Sequence, residues 1–161
     1  SEALPLTVTI QDPALSQRFT AVVLSGANEA ALSPLEIQTY LARSGVRPVS
    51  AIVDVTNYLM LLTGQPLHAY DYDKFIAVSG GKAEISVRTG RVGERLKLLN
   101  GTVVSLDEDD MVIAAGDVPV GLAGAMGGAD TEIDDTTTRV LLECATFDLY
   151  RLRNAQMKHG I

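Results

Sequence analysis

Chemistry in this chain of 161 residues can come from few places, and His68 is the first of them. An imidazole titrates near neutral pH and can give or take a proton, whereas the second histidine, His159, lies in a basic cluster at the C-terminal end. His68 reads either as an acid–base group or as a structural histidine held in a loop. Asn57 precedes it on a predicted helix and can orient a ligand carbonyl or amine, or simply bond the adjacent loop. Glu143 sits in Val140-Leu-Leu-Glu-Cys-Ala145, where its neighbours are apolar. A carboxylate buried there is costly without a partner, while simple alternation in a half-exposed strand turns it to water. Gly121-Leu-Ala-Gly124-Ala-Met-Gly127-Gly128 matches neither a dinucleotide fingerprint nor a P-loop and has no helix after it. Missing side chains there admit a second backbone or a bulky ring, or mark a bulge and turn. Cys144 reads as a small core residue, since a cysteine-nucleophile arrangement with His68 and Asn57 lacks any local signature. One cysteine and two histidines supply neither a disulfide nor a structural zinc site, so no metal is expected.

The elements that must position these groups are legible as patterns. Leu6 to Ile10 and Phe19 to Leu24 read as two strands joined by a turn at Asp12-Pro13. Ser33-Pro34-Leu35-Glu36 has the form of a capping box with proline at the first helical position, and Leu32 and Ile37 are placed as a staple. That helix should stop at Ser44-Gly45. A second helix over Ser50 to Thr63 is apolar around most of its circumference, which predicts packing on several sides and places Asp54, Thr56 and Asn57 in the core or beside a pocket. After Gly64, the stretch Gln65 to Asp71 reads as irregular. From Ala83 onward the pattern is β, with Asn100-Gly101 suggesting a type I′ hairpin and Gly116-Asp117 suggesting another. Asp148 to His159 predicts a terminal helix with an acid at its start and bases toward its end. The expected class is α+β: a layered sandwich with a mixed or antiparallel sheet core and helices packed on one side.

Composition narrows the function classes. With 47% hydrophobic and 20% charged residues and a mean hydropathy of +0.17, the chain is neither disordered nor fibrous. Its size is that of one domain able to bury about 68–70% of its unfolded surface. No apolar run reaches the length of a membrane span and the first residues lack a signal pattern, so the expected location is cytoplasmic. A net charge of −7 opposes phosphate binding, so the chain should not hold nucleic acid tightly by itself. Asp107 to Asp135 carries acids and no Lys or Arg, whereas Arg151, Arg153, Lys158 and His159 follow one another without an acid. Any phosphate contact is expected toward that end.

Arg47-Pro48, Val53-Asp-Val-Thr-Asn-Tyr58, Gly64-Gln-Pro-Leu-His-Ala-Tyr-Asp71, Leu122-Ala-Gly-Ala-Met-Gly-Gly128 and Leu142-Glu-Cys-Ala145 stand in that order. Together they closely resemble the central, editing module of the beta subunit of bacterial phenylalanine-tRNA synthetase. The likeness runs from about Arg18 to Ile161. It implies that residues 1–161 are a single domain excised from a longer subunit, hydrolysing the ester of tyrosine wrongly attached to phenylalanine tRNA. By motif, the resemblance carries His68 and Asn57 to the editing pocket as catalytic residues and Pro66 to its wall. Thr56 and Leu99 go to substrate-binding positions, Gly127 to the glycine that leaves room for the aminoacyl group, and Glu143 to the acid that recognises the tyrosine hydroxyl. A metal-free, non-covalent hydrolysis is expected, with no cofactor in the module and ATP with Mg2+ in the parent synthetase. The implied partners are the acceptor end of aminoacylated tRNA(Phe), the remainder of the beta subunit and the alpha subunit, with no membrane. The family pattern continues past Ile161 into a Thr-Asp-Ala-Ser segment bordering the pocket, so part of the wall is expected from outside this sequence. A free-standing or inactive homologue serving tRNA or protein interaction is the alternative.

Overall fold

The computed structural model describes residues 4–161. In chain order the elements are β1 (Thr7–Ile10), β2 (Arg18–Ser25), α1 (Leu35–Arg43), α2 (Ala51–Thr63), β3 (Leu67–Asp71), α3 (Tyr72–Val78), β4 (Glu84–Thr89), β5 (Arg95–Lys97), β6 (Val103–Ser105), β7 (Met111–Ala115), β8 (Val118–Leu122), β9 (Met126–Gly127), β10 (Arg139–Thr146) and α4 (Leu149–His159). The fold is α+β. One sheet has the order β1-β4-β7-β8-β9, with β1 parallel to β4 and the other pairings antiparallel. A second sheet places β10 between β2 and β3, antiparallel to both. A short hairpin, β5-β6, completes the β structure.

Burial explains why these segments hold together. Tyr70 and Leu141 from the three-stranded sheet, Phe75 from α3, and Ile85, Val87, Met111 and Ile113 from the five-stranded sheet form one core cluster. Val112, on the opposite face of β7, joins Leu96, Leu98, Val104, Leu106 and Leu122 beneath the hairpin. With both faces covered, β7 is buried at every position and shows no alternation.

Several local expectations require correction. Ser33 does not cap α1: Pro34 takes the N-cap position without a side-chain bond, and the Ser33 hydroxyl instead donates to Asp54 of α2 at 2.5 Å. Leu32 is exposed, so there is no staple. The N-terminus of α2 is capped from a distance by Glu29, which accepts from the Ser50 hydroxyl and, at 3.0 Å, from the Ile52 N–H. That helix is not packed on several sides, because Val55, Leu61 and Leu62 are exposed and Asp54 is its buried residue. Gln65 to Asp71 is not irregular either. Gly64, with φ of 76°, turns the chain out of α2, and β3 then pairs with β10. Asp71 ends the strand and caps α3 by accepting from the Asp73 and Lys74 N–H groups. At Asn100-Gly101 only the glycine has positive φ, and the Leu98 carbonyl accepts from the Gly101 N–H. The connection is therefore a longer loop with a glycine bulge rather than a type I′ turn. Gly116-Asp117 is a two-residue turn joining Ala115 to Val118, but only Gly116 has positive φ, so it is not type I′ either.

Candidate functional site

The register of β3 against β10 sets His68 directly opposite Glu143. Directly paired residues share a sheet face, and so do residues two apart on one strand, so His68, Tyr70 and Glu143 converge. Leu141 lies on the same inner face of β10, which is why Glu143 points into the protein and is 5% exposed rather than facing water. Its Oε2 accepts a hydrogen bond from the Tyr70 hydroxyl at 2.5 Å. No second partner reaches Oε1 among the described residues, and that atom is not sealed from solvent, so it remains an acceptor open to the cavity beside it. Burial pushes the Glu143 carboxyl up to about 7, with the Tyr70 hydrogen bond pulling the other way. Burial, together with the charge and hydrogen bond of Glu143, holds the Tyr70 phenol well above its usual range.

The imidazole of His68 meets the Tyr70 ring edge-on, with centroids 4.4 Å apart. Its nitrogens have no hydrogen-bond partner among the described residues and, like Glu143 Oε1, are not sealed from solvent. Burial depresses its basicity to about 4, so at neutral pH the ring is uncharged.

Facing this group are two bare positions. Gly121 of β8 pairs with Gly127 of β9. A Cβ on Gly127 would overlap the His68 imidazole, and one on Gly121 would lie 3.8 Å from the Tyr70 hydroxyl. Both glycines line a cavity of about 500 Å³. Pro66, Met126, Phe147 and Leu152 give it a mostly apolar wall, and among its lining residues the titratable ones are His68, Tyr70 and Glu143. The volume falls within the range of small-molecule pockets, and an apolar chamber with few convergent polar groups is the usual form of a ligand site.

The structure thus brings together His68, Glu143, Gly127 and Pro66. Leu99 borders Gly127 without lining the cavity: its N–H donates to the Gly127 carbonyl at 3.0 Å, and the residue is 39% exposed. Asn57 and Thr56 do not line the cavity. Both stand on α2, and the Thr56 hydroxyl donates within its own helix to the Val53 carbonyl at 2.8 Å. Sequence reasoning missed Tyr70 and Gly121. The alternation of His68 with Tyr70 was the available signal for the first, hidden by reading β3 as irregular.

The expected basic patch is also reduced. Lys158 pairs with Asp107 and Asp110 at 2.7 and 2.8 Å, and His159 Nε2 lies 2.8 Å from Asp110. Lys158 is thus neutralised by the acidic segment before β7, His159 is engaged there too, and Arg151 reaches the Glu108 carbonyl at 3.5 Å.

Residues 15–161 match the B3/4 domain family. The chain is 44% identical over 157 residues to a phenylalanine–tRNA ligase beta subunit from Streptomyces avermitilis, covering 96% of this chain and 18% of that protein. It is 48% identical over 128 residues to a protein of the same name from Lactobacillus johnsonii, covering 80% of this chain and 15% of the relative. A crystal structure of an N-terminal fragment of the phenylalanyl-tRNA synthetase beta-subunit from Pyrococcus horikoshii superposes with a TM-score of 0.61, covering 99% of this chain and 50% of that one. At 12% identity this last likeness speaks to the fold alone. The chain therefore spans less than a fifth of the length of these curated relatives.

Proposed function

The chain belongs to the B3/4 domain family, and from that premise we propose that it is the editing module of a phenylalanine–tRNA ligase beta subunit, hydrolysing the ester of tyrosyl-tRNA(Phe). The observation that carries this reading is the buried carboxylate with one oxygen free in an apolar chamber. Tyrosine differs from phenylalanine by one hydroxyl, so a chamber that admits tyrosine cannot exclude phenylalanine by size. It must reward the hydroxyl. Glu143 Oε1 accepts from the substrate phenol, while phenylalanine would cover that oxygen and leave it unpaired. Sites built to bond a hydroxyl reject the analogue lacking it by up to about 10^4 to 10^5.

In this reading the tyrosyl ring lies against Gly121 and Gly127, and the ester carbonyl stands near His68. Water adds to that carbonyl, the tetrahedral intermediate collapses, and the ribose hydroxyl leaves with the proton that water gave up. An imidazole whose conjugate acid ionises near 4 is a weak base at neutral pH, so we assign His68 to orienting the water or the terminal ribose rather than to full proton abstraction. The remainder of the beta subunit, the alpha subunit and the acceptor end of tRNA(Phe) are the proposed partners, with ATP and Mg2+ serving synthesis elsewhere in the enzyme and the cytoplasm as its location. Among the described residues no helix is long and apolar enough to cross a membrane.

Single-turnover deacylation by the full synthetase tests this. Glu143→Ala should slow tyrosyl-tRNA(Phe) hydrolysis by an amount equivalent to about 1.5–3 kcal/mol, the scale of a hydrogen bond to a charged group. Phenylalanyl-tRNA(Phe) hydrolysis should not slow in parallel. Equal loss on both substrates, or no deacylation by the wild-type enzyme, would defeat the proposal.

A further inference from the structure

Glu143 already has a phenol partner inside the protein, and this bears on how it meets a ligand. We propose that Tyr70 is the positioning residue of this cavity: its hydroxyl ties down Oε2 of Glu143 and leaves Oε1 as the carboxyl oxygen presented to the ligand. The inference rests on the editing function proposed above and assigns that site a residue which the motifs did not.

Three observations support it. The hydroxyl lies 2.5 Å from Oε2, and Tyr70 is 1% exposed, so the contact is held by the core. The ring packs edge-on against both His68 and Phe75, with centroids 4.4 and 6.0 Å away, which fixes the direction in which the hydroxyl points. From the opposite side, the bare Gly121 leaves room beside that hydroxyl. A glutamate without such a tether could rotate about its terminal torsion and present either oxygen, or take up a proton and become a donor. A tethered one holds a fixed orientation and takes up a proton less readily. The phenol also favours the ionised carboxyl against the burial that disfavours it. The groups that bear on Glu143 are few. Neighbouring β3 supplies Tyr70 and His68, β2 supplies only Ala21 at the paired position, and the glycine-rich turn supplies no titratable side chain.

Tyr70→Phe in the full synthetase removes the hydroxyl and keeps the ring that His68 and Phe75 pack against. Two readouts are needed. The first is infrared: the protonated carboxyl band that disappears in Glu143→Gln is followed against pH. In Tyr70→Phe its midpoint should move to higher pH by about one to two units, the equivalent of one charge-assisted hydrogen bond. The second is the ratio of tyrosyl- to phenylalanyl-tRNA(Phe) hydrolysis at neutral pH, expected to fall about tenfold or more. An unmoved midpoint overturns the role of Tyr70, whatever the hydrolysis shows. A moved midpoint with an unchanged ratio overturns its part in presenting the acceptor. Absence of tyrosyl ester hydrolysis in the wild-type enzyme counts against the editing reading alone, because the infrared midpoint still reports whether Tyr70 governs Glu143.

Discussion

At Gly127 the constraint is space and not backbone conformation. This glycine is absent from the positive-φ positions, so its backbone suits any residue, yet a single Cβ there would overlap the His68 ring. Filling a packed site in this way costs about 1–3 kcal/mol when neighbours must move. The neighbour here is an imidazole bordering the cavity, so its displacement should be felt in hydrolysis first. Gly127→Ala should slow tyrosyl-tRNA(Phe) deacylation by the full synthetase at least about tenfold, and Gly127→Trp, which fills the chamber, should abolish it. Phenylalanine charging should stay near normal for both. A drop in melting temperature that scales with the loss of deacylation, with charging lost as well, would make the glycine a folding requirement.

Among the elements, α4 has the most explicit tether. Asp110, which is fully buried, accepts from the Asp107 N–H and from Lys158, and holds His159 of the last helical turn. Removing Asp110 takes the acceptor from the Asp107 N–H and the partner from the largely buried His159 side chain, at a cost of about 1–3 kcal/mol, while Lys158, 36% exposed, keeps Asp107. Asp110→Ala should therefore lower the stability of the chain toward that scale in a urea melt, while Asp109→Ala, on an exposed neighbour, should change it by less than about 0.5 kcal/mol. Comparable effects from the two would remove the tether. This helix was legible from sequence because its signals are local: Asp148 accepts from the Arg151 N–H at the start and Gly160 adopts φ of 68° at the end. Likewise β10 declared itself through Val140, Leu141 and Leu142. By contrast, β3 owes its identity to pairing with β10, which lies far along the chain, so Leu67 to Asp71 carried no sufficient pattern of its own. That one omission hid the approach of Tyr70 to Glu143, although His68 and Glu143 had each been singled out. Helix α2 was misread for a different reason. Apolar periodicity reports what a helix could bury, and cannot say that Val55 and Leu62 are left uncovered in this chain.

For the whole molecule, His68 and Glu143, two of the perturbed groups of the cavity, oppose each other in pH dependence. Glu143 ionises at about 7 when folded, against 4.5 for an ordinary glutamate. Its contribution to stability is complete below about 4.5 and is lost as pH rises through 7. His68 has the reverse sign, falling from 6.5 to about 4, so its contribution is complete above about 6.5 and is lost as pH falls toward 4. Each supplies a slope of at most about 1.4 kcal/mol per pH unit, and between about pH 4.5 and 6.5 the slopes offset. Glu143→Gln should expose the His68 slope, making the variant's stability climb with pH relative to wild type across that window. Urea melts at several pH values would show it, and parallel curves for the two proteins would refute the pairing. The charge balance yields a further expectation: with a net charge of −7 and Lys158 and His159 already engaged, the isolated chain should bind tRNA no better than micromolar at physiological salt. Submicromolar affinity in an anisotropy titration would contradict this. The order β2-β10-β3 also has a consequence for the timing of synthesis. The middle strand of that sheet is the last of its three to leave the ribosome, and at about 5–20 residues per second it follows β3 by roughly 4–15 s. Throughout that interval His68 and Tyr70 are translated but unpaired, with strand edges open on both sides of the gap. Nascent chains arrested before Arg139 should therefore be cut readily by protease within β2 and β3, and chains arrested well beyond Thr146 should resist.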